Sequence, residues 1–160
     1  MRTSSGLTTP LSRKQSLVWS LVRKGQSVAS IAEKLKTTRQ FVNQTKLAAE
    51  ANLVNAMMDV AQANNIQVTK MYSEAGVLLG YHPGLKRKAI ITYSTEHGIK
   101  VWYWFDKPEE VTDKEFLDQT RAYLLGFADE RDLDIKNVEK LHPASLAQAI
   151  FSELITELKG

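Results

Sequence analysis

The chain has 160 residues, of which 43% are hydrophobic and 24% charged, as in ordinary soluble proteins, and no apolar run approaches the roughly 18 residues of a membrane span. It contains no cysteine, which excludes disulfides, thiol nucleophiles and thiolate metal sites. The net charge of +3 hides an asymmetry: residues 1–50 carry nine Lys or Arg against Glu33 and Glu50, a balance of +7, whereas the rest carries twelve basic and sixteen acidic side chains, a balance of −4, so the first segment is suited to a polyanion and the second is not.

Residues 1–10 lack the apolar stretch of a signal peptide and are expected to form a flexible arm. A first helix opens at Leu11-Ser12-Arg13-Lys14-Gln15, with Ser12 as N-cap and Gln15 at the capping-box position. Leu17, Val18, Leu21 and Val22 repeat at helical spacing with Trp19 beside them, and Gly25 supplies a left-handed stop. Ser27 caps a short second helix, Val28 to Leu35, whose buried face is Val28, Ile31, Ala32 and Leu35. Lys36-Thr37-Thr38 is a tight turn, and Thr38 caps a long third helix from Arg39 to Asn64 that contains neither Gly nor Pro.

That third helix changes character along its length. Its first turns are polar and basic, with Arg39, Gln40, Asn43, Gln44 and Lys46. Further on, Leu47, Ala51, Val54, Met58 and Ala61 alternate at spacings of four and three, with a second row, Leu53, Met57 and Val60, beside them. The first row predicts a homodimer seam; the alternative is a helix packed on its own domain. Two short helices, a three-residue turn and a polar-faced helix make up a helix-turn-helix plan.

Leu11-Ser12…Gln15, Gly25, Ile31-Ala32-Glu33-Lys34-Leu35, Thr37-Thr38-Arg39 and Val42 resemble the helix-turn-helix of archaeal Tfx-type regulators, the C-terminal DNA-binding domain of LuxR-type regulators and region four of sigma factors. The resemblance covers about residues 11–55 and departs from such motifs at Lys36, where the turn often carries Gly. It implies that the helix after the turn enters the major groove, with Thr38, Arg39, Gln40, Asn43 and Gln44 at the bases. The side-chain chemistry agrees: Arg can bond guanine O6 and N7 together, and Gln or Asn can do the same for adenine. Ser12, Arg13, Ser27, Thr37 and Lys46 suit phosphates, which set register without reading sequence.

From Ile66 the period changes to two. Residues 66–72, 77–82, 88–94 and 99–105 read as four strands joined by short turns, an antiparallel meander with Ile91 and Val101 in its core. Thr112-Asp113-Lys114-Glu115 is a capping box opening a helix with Phe116, Leu117, Thr120, Tyr123, Leu124 and Phe127 on one face. Pro143 starts a last helix with the stripe Leu146, Ile150, Leu154, Ile155 and Leu158. The fold class expected is α+β: an N-terminal helical domain over 11–65, including the long linking helix, then a domain over 66–160 in which two helices cover an antiparallel sheet and which dimerises, senses a ligand, or both.

Chemistry is sparse. His82, His97 and His142 stand at no metal-ligand spacing, and Asp129, Glu130, Asp132 and Asp134 read as a solvated loop. There is no Gly-rich phosphate loop and no nucleophile elbow, so no cofactor and no catalysis are expected. The aromatic run Trp102-Tyr103-Trp104-Phe105 builds a core or subunit interface, or else a small-molecule effector pocket with Tyr81, Tyr93 and Trp104 as walls. The function expected is a dimeric, cytoplasmic, sequence-specific regulator bound to double-stranded DNA. The alternatives are a protein–protein adaptor that holds its partner through the helical domain, and a DNA-delivery subunit of a nucleic-acid-processing enzyme.

Overall fold

The computed structural model describes residues 10–107, 112–155 and 158, so the arm expected over 1–10 lies outside the described residues except for Pro10. The elements are α1 (Arg13–Arg23), α2 (Val28–Leu35), α3 (Arg39–Ala63), β1 (Gln67–Tyr72), β2 (Val77–His82), β3 (Arg87–Ser94), β4 (Gly98–Tyr103), α4 (Lys114–Glu130) and α5 (Pro143–Leu154). Helices followed by an antiparallel sheet and two further helices make the chain α+β. It divides into two compact units, 1–103 and 104–160. The sequence boundary at residue 65 therefore falls inside the first unit, because the long helix packs on the sheet that follows it.

In the first unit, Val18, Ile31, Ala32 and Val42 close a small core between α1, α2 and the start of α3, with Leu21, Val22, Val28 and Leu35 around it. A second cluster joins Leu11 and Trp19 to Ala49 and Leu53 of α3 and to Tyr93 of β3. A third sets Met57 and Ala61 of α3 against Leu78, Ala89 and Ile91 of the sheet. The strands run in the order β1-β2-β3-β4, each antiparallel to its neighbour, so short turns suffice throughout. Ile91 is fully buried; Val101, on the edge strand β4, is half-buried. On β3, Ala89, Ile91 and Tyr93 face α3, while Ile90, Thr92 and Ser94 alternate to the other face.

α3 ends as α2 does. After α2, the Thr37 amide donates to Ala32 O and the Lys36 amide to Glu33 O, with Lys36 at φ 56°. After α3, the Ile66 amide donates to Ala61 O and the Asn65 amide to Gln62 O, with Asn65 at φ 58°. Both are Schellman endings that satisfy the last carbonyls. The second turns the chain straight into β1 and buries Ile66 beside Ala61.

The second unit has its own core. α4 is capped by Asp113, whose carboxylate accepts from the Phe116 amide, one residue later than the sequence box places it. Tyr123, Leu124, Phe127 and Ala128 are buried on α4, and Leu146, Ala147, Ile150 and Phe151 on α5, with Phe127 and Phe151 edge-to-face at 5.8 Å. Phe116 stands exposed at the first turn. The Arg131 guanidinium lies 3.6 Å from the Phe127 ring centre and donates to Phe127 O and Glu130.

Gly80 on β2 lies tight against Ile66 and Gln67. A Cβ on residue 80 would lie 2.5 Å from Ile66 Cγ2 and 2.6 Å from Gln67 O. Gly80→Ala should push β1 off its neighbour and lower stability by about 1–3 kcal/mol, read as a lower urea midpoint.

Candidate nucleic-acid interface

The first turns of α3 are set by their flanks. The Thr38 hydroxyl accepts from the Phe41 amide at 3.0 Å, which fixes where the helix begins. Val42, fully buried against Ile31 and Ala32, fixes how it is rotated. With Val42 inward, Thr38, Arg39, Gln40, Asn43 and Gln44 are all exposed, so the five side chains assigned to base reading share the free surface of one helix tip.

The five phosphate candidates divide. Ser27 is exposed and caps α2 by accepting from the Ser30 amide at 3.0 Å, and Thr37 is half-buried in the turn before α3. Thr37 belongs to the tip, whereas Ser27 stands at the other end of α2 from the turn. Ser12 closes a capping box with Gln15, whose Oε1 also accepts from Asn52. Asn52 lies fourteen residues past Thr38, roughly 21 Å further along α3 at 1.5 Å per residue. Ser12 thus flanks the middle of α3 rather than its first turns, and Arg13 beside it is exposed. Lys46 is half-buried and 4.0 Å from Glu50, so part of its charge is compensated within the protein.

Arg23 is likewise committed inward. Burial lowers its pKa, opposed by the charges of Glu50 and Glu74, and the guanidinium, which keeps its proton at any working pH, sits over the Trp19 ring. Arg13, Lys14, Lys24, Lys34, Lys36 and Arg39 remain exposed, so the positive surface of the segment comes from them.

The seam row divides too. Leu47 is 56% exposed and Met58 43%, Ala51 is exposed and Val54 half-buried, but Ala61 is 1% exposed and packs on the protein's own sheet. Ala61 therefore leaves the seam. The sheet takes the second row instead: Leu53 and Met57 are buried, with Val60 packed beside them.

The pocket expected from Tyr81, Tyr93 and Trp104 is not assembled. Tyr81 pairs with Lys88 on the face opposite Tyr93, because alternate residues of β3 face opposite ways. Tyr93 is buried edge-on against Trp19 at 5.3 Å, and Trp104 follows the end of β4. A shallow groove of about 480 Å³ lies instead along α1, between Arg13, Ser16, Leu17 and Thr95.

The histidines serve locally. His82 Nδ1 accepts from the Leu85 amide and His142 Nδ1 from the Ala144 amide, while His97 lies 3.7 Å from Glu96. Among the described residues, no three His, Asp or Glu are grouped to hold a metal, and no helix is long and apolar enough to cross a membrane.

Two residues at the tip escaped the sequence reading. Phe41 is 38% exposed, and the Lys14 ammonium lies 5.3 Å from its ring centre. The available signal was an aromatic residue in the first turn that belongs to neither apolar row of α3.

The chain matches no family model, no curated protein and no solved structure among those compared.

Lys36 carries the left-handed turn at the cost of backbone strain, which Gly would relieve. Lys36→Gly should raise stability by roughly 0.5–1 kcal/mol after the greater freedom of Gly in the unfolded chain is counted, measured by thermal unfolding.

Proposed function

We propose that the protein is a sequence-specific regulator that binds double-stranded DNA as a homodimer, with the first turns of α3 in the major groove. The observation that carries this reading is the joint exposure of Thr38, Arg39, Gln40, Asn43 and Gln44 on a helix whose start and rotation are fixed by the Thr38 cap and by Val42. Exposed Lys34, Lys36 and Arg39 near the same tip support phosphate attraction, with Ser27 and Thr37 as uncharged donors. The reading needs no cofactor and no catalysis, and it places the protein in the cytoplasm with its DNA.

The dimer reading is supported by Leu47, Ala51, Val54 and Met58, an apolar row on the outer side of α3. The middle of this row is some ten to twelve residues from the reading turns, roughly 15–18 Å. An antiparallel pair centred there would set the two tips up to about 30–36 Å apart, compatible with half-sites one turn of DNA apart. The exposed Leu17, Leu47 and Met58 also favour a second reading, an adaptor that grips another protein through this helical surface. Binding to duplex DNA that weakens steeply with salt separates the first reading from the second.

Arg39→Ala and Asn43→Ala should each cost about 1–3 kcal/mol on the preferred duplex and little on random DNA, measured by fluorescence anisotropy. Equal losses on both would move the two side chains from bases to phosphates.

Leu47→Glu together with Met58→Glu changes two exposed positions, so the fold should survive. Sedimentation should then report a monomer, and affinity for a palindromic duplex should collapse. A dimer that persists would place the seam elsewhere.

A further inference from the structure

We propose that Phe41 reads the methyl group of a thymine, with the Lys14 ammonium set on the phosphate beside it; this rests on the DNA-binding reading above. A single exposed apolar side chain is ordinary on a protein surface. Phe41 differs in its setting. It lies in the first turn of α3, one residue past Gln40 and three before Gln44, among the polar groups assigned to bases. At 100° per residue it stands about 60° round the helix from Gln44, on the side that faces the start of α1. Its direction is fixed twice, by its own amide bonded to Thr38 and by Val42, the next residue, locked in the core.

The major groove offers an apolar side chain one matching group, the thymine C5-methyl, and a ring at the rim of a reading helix can cover it. The other polar side chains of the tip are suited to hydrogen-bonding atoms and leave that methyl unread. Lys14 completes the arrangement. Its ammonium, 5.3 Å from the ring centre, brings a positive charge from a second helix to the edge of the same contact, where the sugar-phosphate backbone borders the groove. One apolar contact and one cation are thereby held together by α1 and α3.

The test begins with the full-length protein and a duplex selected from a random library. Each thymine of the selected site is replaced singly by deoxyuracil, which removes the methyl and keeps the pairing. At one or two positions per half-site, the wild-type protein should lose about three- to tenfold in affinity, the factor that one buried methyl supports. Phe41→Ala should show the same loss on the thymine duplex and no further loss on the uracil one, while Phe41→Leu should retain part of the discrimination. Lys14→Ala should weaken all duplexes alike and flatten the salt dependence by about one phosphate contact. If no thymine is methyl-sensitive, or if uracil costs Phe41→Ala as much as it costs the wild type, Phe41 does not read a methyl although the protein reads DNA. If no sequence is selected at all, the DNA-binding reading fails and takes this proposal with it.

Discussion

The first unit depends on one row of side chains along α3: Val42, Ala49, Leu53, Met57 and Ala61. Val42 closes the three-helix head, Ala49 and Leu53 meet α1 and Tyr93, and Met57 and Ala61 lie on the sheet. From Ala49 onward the spacing is four, and each step of four turns the buried direction by about 40°. Over three steps the buried side winds by about 120°, which suits a helix that leaves a helical head and crosses a twisted sheet. The two alanines let the partners approach, Trp19 at one level and Ile66 at the other.

The same winding explains what the sequence could and could not disclose. Local signals needed no tertiary knowledge. Ser12, Ser27 and Thr38 each cap the helix they precede, Gly25 takes a positive φ, and all four strands lie within two residues of the stretches with period two. α3 was ambiguous because it carries two apolar rows, and either could pack. The sheet selected the row at spacing four, left Leu47 and Met58 outside, and drew Ala61 in from the other row. No local pattern decides that, since the deciding surface lies in strands that come later in the chain. The aromatic pocket failed for a related reason. Tyr81 and Tyr93 sit in neighbouring strands, and only the register of β2 against β3 fixes which face each takes.

Charge shows a further divide between composition and structure. The +7 of the first fifty residues is not all available to a partner. Glu50 lies near Lys46 and, with Glu74 of the β1–β2 turn, acts electrostatically on Arg23, so two of the cations answer acidic groups of the same unit. The exposed positive side chains that remain are spread over α1, the end of α2 and the start of α3. A count of basic residues names the segment that carries the charge but not the side chains that present it, which the fold determines.

α3 also has a mechanical consequence. It runs from Arg39 to the sheet without Gly or Pro, so it contains no built-in point of bending. Met57, on the sheet, is eighteen residues from Arg39, a lever arm of roughly 27 Å. A tilt of about 5° at the sheet displaces the tip by roughly 2 Å, more than the distance range over which a hydrogen bond holds. The seating of Met57 and Ala61 on Leu78, Ala89 and Ile91 therefore sets the aim of side chains far from the sheet, and small changes in strand packing become errors of alignment at the other end of the rod.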